Sequence, residues 1–388
     1  MKRFLGVIIA LAAVVSHCPA ATADTAEPNV GAKSAILMDY DTGRVLWEKN
    51  AREPMAMAST TKIMTALLVI ESGRLGETAV VSKRAAGAAP VKMNLSPGEK
   101  IPVVDLLYAL MLQSSNDAAV AVAEHIGGTV ENFCRAMTKR AAMIGAFDTV
   151  FVTPNGLDSG DHHSTAYDMA LITREALRNK TFVAIINTDG YTAKSDRQTY
   201  GVINKDRFLR EFDGAIGVKT GFTGKAGQCF VGAARRGGVQ LISVVLASGW
   251  GAAGKERKWT DTKAIMRYGF ETYATAEAVE AGGSAGTFAV GASRDGAARA
   301  VFADGVTFPF CREPGEVTVD VRLRGDVNAP VAPGCLVGAA TVLIDGKPYR
   351  TVGVVAAEGV ERFDFDACVR KTITCWIRLP KLDNLWMR

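Results

Sequence analysis

The spacing of apolar positions changes period along this chain. Over 35–39 and 44–49 short apolar-rich runs flank Asp41-Thr42-Gly43, the pattern of two strands joined by a hairpin turn. Over 61–71 the spacing becomes helical, with Ile63, Met64, Leu67 and Leu68 apolar and Gly73 as the stop. Helical spacing recurs over 102–113, 117–126, 132–144 and 164–177. Strand patterning returns over 215–223, 228–234 and 239–247, the last two separated by the turn signal Arg236-Gly237-Gly238, and a helix is expected over 257–270. Strands at both ends with helices between predict an α+β domain: one antiparallel sheet that takes strands from both ends of the segment, with helices packed on it. A Gly/Ala-rich stretch, 274–286, reads as a linker, and short β-rich runs at 315–323, 339–344 and 349–355 predict a small all-β domain. The expected organisation is a leader over 1–23, an α+β domain over 24–273, the linker, a β domain over 287–365 and a basic tail over 366–388.

Composition agrees with two folded domains: 388 residues, 48% apolar and 22% charged, enough to bury a sizeable core. Lys2 and Arg3, the uncharged apolar run 4–15 and Ala21-Thr22-Ala23 have the layout of a cleaved secretory signal, so the protein is expected to be exported and then soluble or peripheral. The formal charge of +5 falls to +3 without Lys2 and Arg3, and Arg370, Lys371, Arg378, Lys381 and Arg388 in the tail account for that surplus. No basic groove or helix face remains for a nucleic acid. Cys134, Cys229, Cys311, Cys335, Cys368 and Cys375 follow the leader, and an exported chain allows them disulfides, with pairing expected inside the C-terminal region. Small buried thiols are the competing reading.

Ser59-Thr60-Thr61-Lys62, Ser114-Ser115-Asn116 and Lys219-Thr220-Gly221 carry the candidate chemistry. Residues three apart share a helix face, so Ser59 and Lys62 meet at the start of the 61–71 helix. A serine hydroxyl is a poor nucleophile until a base takes its proton. A lysine does so once burial and a second cation lower its pKa, and Lys219 is the candidate second cation. Backbone N–H groups near the helix start offer stabilisation to an oxyanion. Each motif alone has a bland alternative: Ser59 as an N-cap with Lys62 solvated, Ser114 and Asn116 as loop residues, Lys219 on the surface. About one or two SxxK matches arise by chance in such a chain, against roughly 0.1 for KTG. The three in this order, each on a suitable element, point to a nucleophilic serine site.

These motifs resemble those of the serine D-Ala-D-Ala carboxypeptidases, the low-molecular-mass penicillin-binding proteins. The resemblance extends over 58–67, 113–118, Thr153-Pro154-Asn155-Gly156-Leu157 and Lys219-Thr220-Gly221-Phe222-Thr223, and over the layout of leader, peptidase domain and smaller β domain. It implies a β-lactamase/D,D-peptidase-like fold and a substrate, the peptidoglycan stem peptide ending in D-Ala-D-Ala. It also implies that Ser59 attacks the penultimate carbonyl, Lys62 is the base, and Ser114, held with Asn116, relays a proton to the leaving D-alanine. Lys219 and Thr220 would hold the terminal carboxylate, and the N–H groups of Ser59 and Phe222, beyond Gly221, would form the oxyanion hole. β-Lactams would acylate Ser59, and this chemistry needs no metal or other cofactor. The histidines suit that: His125 ends a helix, His162 and His163 lie in a polar loop, and no HExxH occurs.

Relatives commonly end in an amphipathic helix on the outer face of the cytoplasmic membrane. Here 369–379 is rich in β-branched residues, Ile373, Cys375, Ile377 and Leu379 alternate as in a strand, and Pro380 follows, so a strand is expected in its place. The basic charge with Trp376 and Trp386 still favours contact with an anionic interface. The same motifs leave open a D,D-endopeptidase or transpeptidase, a class A β-lactamase, and a catalytically inactive wall-binding protein. The lactamase would add a glutamate between the second and third motifs, where Asn155-Gly156-Leu157-Asp158 stands instead.

Overall fold

The computed structural model describes residues 26–310, 317–344, 346–363 and 365–377. The expected leader, Cys311 and the residues beyond Ile377 therefore lie outside the described residues. The first segment runs β1 (Ser34–Asp39), β2 (Val45–Lys49), a 3-10 turn (Ala58–Thr61), α1 (Lys62–Glu71), β3 (Thr78–Val80), α2 (Lys83–Ala86), β4 (Lys100–Pro102), α3 (Val103–Leu112), α4 (Asn116–Gly127), α5 (Val130–Ile144), α6 (Ala166–Leu177) and α7 (Lys180–Ile186). It continues with β5 (Gly190–Lys194), β6 (Thr199–Ile203), α8 (Phe208–Glu211), β7 (Ala215–Thr223), β8 (Gly227–Arg236), β9 (Val239–Leu246) and α9 (Gly251–Thr272). The chain divides into two compact units, one running to Ala274 and the other beginning at Thr275.

In the first unit an antiparallel sheet has the order β2-β1-β9-β8-β7, so the N-terminal hairpin and the three late strands share one sheet and β7 forms its edge. The reason is visible in the period-2 alternation. Ile36, Met38, Ile242, Val244 and Leu246 face the core formed with α1, α3, α4 and α6, while Ala35, Leu37, Leu241 and Val245 face Trp259, Ile265 and Met266 of α9. A sheet covered on both faces explains why β1 and β9 are buried along their whole length. Gly237 and Gly238, both at positive φ, make the two-residue turn between β8 and β9 that right-twisted strands require.

From Thr275 onward the chain is mostly β-structure. The stretch taken as a linker carries β10 (Ala274–Val279) and the first residues of β11 (Ser284–Ala289). Its glycines mark a turn between strands: Gly282, at φ +78, donates its N–H to Phe302 O. β12 (Ala297–Phe302), β13 (Val306–Phe310), β14 (Val317–Leu323), β15 (Leu336–Ile344) and β16 (Lys347–Ala356) follow, and a five-stranded sheet in the order β11-β12-β16-β15-β14 surrounds its own apolar core.

The expected strand near the end is instead α10 (Phe365–Ile377). Phe365, Val369 and Ile373, spaced by four and all exposed, set the helical period. Thr372 and Thr374 donate their hydroxyls to Cys368 O and Arg370 O, so the β-branched residues suit a helix here. The side chain of Cys375, like Cys311, lies outside what is described. Cys134, Cys229, Cys335 and Cys368 are free thiols. No helix among the described residues is long and apolar enough to cross a membrane.

Candidate active site

Ser59 lies in the 3-10 turn, half-buried, and Lys62 is the first residue of α1. The lysine is fully buried, so the solvated-surface reading of SxxK does not hold. Its Nζ meets Ser59 Oγ at 2.9 Å, Asn116 Oδ1 at 2.7 Å and the main-chain oxygen of Asn155 at 2.6 Å. Burial, then the nearby Lys219 cation, hold the Lys62 amine well below the usual lysine range, against an opposing pull from Asp117. A neutral amine has two N–H donors and one lone pair. The oxygens of Asn116 and Asn155 can only accept, so they take both hydrogens and leave the lone pair to the Ser59 hydroxyl. The arrangement can remove the serine proton without a histidine.

Three further segments hold this cluster. In the 153–157 loop, Thr65 Oγ1 donates to Pro154 O at 2.6 Å and the Thr153 hydroxyl accepts from Gly156 N at 3.2 Å, which aims Asn155 O at Lys62. Gly156 sits at φ +85 with a hypothetical Cβ 1.9 Å from Ala58 O, so no side chain fits there. At the α4 start, Asn116 donates to Ala89 O and Pro90 O, and Asp117 accepts from the N–H groups of Met93, Asn94 and Leu95, binding the 89–95 segment to the helix N-terminus. Third, buried His162 accepts the Val152 N–H on Nδ1 at 3.0 Å. Its Nε2 therefore carries the hydrogen and donates to Thr61 Oγ1 at 3.0 Å, which in turn donates to Ala58 O at 2.8 Å. Desolvation pushes His162 down to about 4, so the ring is neutral and works as a fixed bracket. The bracket holds Ala58 at φ +49, a left-handed conformation immediately before Ser59.

On the other side β7 brings Lys219, Thr220, Gly221 and Phe222. A Cβ at Gly221 would lie 3.0 Å from Ser59 N and 3.1 Å from Met57 O, so the absent side chain lets strand and turn touch. Register settles which backbone groups are open. Phe222 pairs with Gln228, and Gln228 commits its N–H to Gly249 O and its C=O to Ser248 N, away from β7. The Phe222–Gln228 pair is thus non-hydrogen-bonded, and the N–H of Phe222, like that of Thr220 two residues earlier, points out of the open sheet edge. Phe222 itself is 52% exposed. Lys219 is buried, donates to Thr220 O at 3.2 Å, and is lowered by desolvation to about 7.

Hydrogen bonds thus join Ser59, Lys62 and Asn116, and close contact joins Gly221. Ser114 stands at φ +69 with no side-chain hydrogen bond to any described residue, while Ser115 accepts from Gln113. Asn155 and His162 were not expected as site residues. The first acts through its carbonyl, which any residue possesses; the second carried only the signal of a polar loop. His163 keeps the loop role, against Asp161 at 3.1 Å. Asp158 accepts from the Thr223 hydroxyl, and among the described residues no carboxylate hydrogen-bonds to Ser59 or Lys62.

The profile of the D-alanyl-D-alanine carboxypeptidase family matches residues 21–249. D-alanyl-D-alanine carboxypeptidase DacF of Bacillus subtilis is 29% identical over 97% of this chain and its own whole length. DacC of Escherichia coli, a D-alanyl-D-alanine carboxypeptidase, is 30% identical over 87% of this chain and 86% of its own. Penicillin binding protein 5 from Haemophilus influenzae superposes with TM-score 0.66 at 27% identity, covering 87% of this chain and all of that one. A mutant of the Streptomyces K15 DD-transpeptidase superposes with TM-score 0.58 at 33% identity over 63% of this chain and 99% of that one.

Proposed function

Because the chain belongs to the D-alanyl-D-alanine carboxypeptidase family, we propose that it removes the terminal D-alanine from peptidoglycan stem peptides through an acyl-enzyme on Ser59. The observation that carries this reading is the buried Lys62 amine 2.9 Å from Ser59 Oγ. Ser59 Oγ adds to the penultimate D-alanine carbonyl as its proton passes to Lys62 Nζ. The oxyanion lies between the N–H groups of Ser59 and Phe222. Collapse breaks the C–N bond, and the departing D-alanine nitrogen takes a proton through the Ser114 hydroxyl, resupplied from the Lys62 ammonium. Water then adds to the ester with Lys62 as base, Ser59 recovers its proton, and the shortened peptide leaves. The Lys219 ammonium and Thr220 hydroxyl hold the terminal carboxylate, and the open edge of β7 lets the extended peptide lie alongside it. A β-lactam follows the same first step and stays as a penicilloyl ester.

The substrate lies outside the cytoplasmic membrane, which suits the secretory pattern of the leader. The exposed apolar stripe of α10 beside Arg370 suits attachment to a membrane surface.

Incubation with a stem pentapeptide tests the reading. One D-alanine per peptide is expected, with kcat/KM falling as pH rises through about 7 because Lys219 must stay protonated to bind the carboxylate. Cleavage of cross-linked dimers with the pentapeptide left intact would assign an endopeptidase instead.

A further inference from the structure

The hydrogen-bonding pattern of β7 sets the register of a peptide laid along its open edge. In the non-hydrogen-bonded pair of Phe222 with Gln228, both the N–H and the C=O of Phe222 face away from β8. A peptide whose scissile carbonyl accepts the Phe222 N–H therefore seats its penultimate D-alanine opposite Phe222 and donates that residue's N–H to Phe222 O. The antiparallel direction is the one that takes the terminal carboxylate toward Thr220 and Lys219. It places the residue before the D-Ala-D-Ala pair opposite Thr223. Residues opposed in this way carry their side chains on the same face, with Cβ atoms about 4.5–5.5 Å apart.

Thr223 turns its side chain to an acidic group. It is 9% exposed, and its hydroxyl accepts the Ala226 N–H at 3.0 Å and donates to Asp158 Oδ1 at 3.1 Å. Asp158 is exposed and, among the described residues, joins no ion pair, Lys225 of the adjoining turn included. Both supports are fixed. Leu157, just before Asp158, donates its N–H to Asn155 Oδ1 and accepts from the Thr153 hydroxyl, and the turn after Thr223 is held by Trp250 Nε1, which donates to Gly224 O at 2.8 Å. A carboxylate is thus fixed against the residue that follows the oxyanion donor Phe222, and it has no part in the steps proposed above.

We propose that Asp158 selects stem peptides in which the residue before the D-Ala-D-Ala pair carries a side-chain ammonium, with the Asp158 carboxylate accepting from it. The inference rests on the proposed function, because the register is counted from a scissile carbonyl on the Phe222 N–H. A flexible lysine-like stem on the residue opposite Thr223 reaches a carboxylate that already meets the Thr223 hydroxyl. The pair is exposed to solvent, so its effect is moderate, weakens with salt, and acts on capture of the peptide more than on the chemical step.

The test measures kcat/KM for Nα-acetyl-L-Lys-D-Ala-D-Ala and its Nε-acetylated form on the unmodified protein, Asp158→Asn and Asp158→Lys. At low ionic strength the free amine should be preferred about fivefold, chiefly through KM. Asp158→Asn keeps an oxygen for the Thr223 hydroxyl and removes the charge, so the preference should fall to about one, and Asp158→Lys should reverse it. Equal kcat/KM for the two peptides on the unmodified protein, or a preference that survives in folded Asp158→Asn, would overturn the proposal while D-alanine release leaves the functional reading in place. Release from neither peptide would defeat the functional reading and this inference with it. Should the variants not fold, salt decides on the unmodified protein. The preference should fall below about twofold at about 1 M salt, where the Debye length is about 3 Å, and an undiminished preference there would overturn the proposal.

Discussion

Replacing Ser59 by alanine is expected to lower D-alanine release by about 10⁵-fold or more and to abolish covalent labelling by benzylpenicillin, with the fold unchanged. The proposed reaction passes twice through the serine oxygen, as nucleophile and as ester. Its loss leaves only binding and the oxyanion donors, and the residual rate falls toward that of water. The fold should be indifferent, because Ser59 is half-buried and its hydroxyl contacts within the structure are with Lys62 and the Asn155 carbonyl. Ser59→Ala with unchanged turnover and an unchanged melting temperature would remove Ser59 from the mechanism.

Lys62→Met should be almost as severe in rate and mild in stability. Removing a general base that acts in acylation and deacylation costs about 10²–10⁴ at each step, so both the penicillin adduct and turnover should slow by at least that factor. In the interior Met is close to Lys in length and avoids burying an amine. The loss is that Asn116 Oδ1 and Asn155 O are each left without this donor, at about 1–3 kcal/mol per group before the relief of the desolvated amine is counted. A melting temperature within a few degrees and acylation at the normal rate would exclude Lys62 as the base; slow acylation in the folded protein supports it.

Much of the catalytic unit was legible because its signals are periodic. β1 and β9 are apolar on both faces, the helices carry their stripes at 3.6-residue spacing, and Gly237-Gly238 announces its own hairpin. The SxxK, SxN and KTG motifs could be ordered along the chain, yet the burial of Lys62 could not be read from them, since it depends on the 153–157 loop closing over α1 from 93 residues away. Asn155 escaped notice because it acts through its main chain, and His162 because its ring works as a neutral bracket where a histidine next to Asp161 reads as solvated. The β5–β6 hairpin shows no apolar alternation, because each strand buries one residue, Ala193 and Val202. In the second unit, glycine read as linker proved to be turn between strands. In the tail, Phe365, Val369 and Ile373 set a helix whose threonines had suggested a strand. For Lys62, Asn155 and His162 the meaning of a local composition is decided by a partner far away in sequence or by a backbone atom.

Penicillin turnover separates the lactamase alternative, because no carboxylate among the described residues hydrogen-bonds to Ser59 or Lys62 to activate a deacylating water independently of the lysine. A long-lived adduct is therefore expected. The most direct measurement is mass spectrometry of the purified protein after benzylpenicillin and, in parallel, after a diacetyl-Lys-D-Ala-D-Ala peptide. The account predicts one stable penicilloyl group on the peptide that contains Ser59, together with release of one D-alanine per tripeptide. An adduct on any other residue, or neither adduct nor D-alanine, would contradict it.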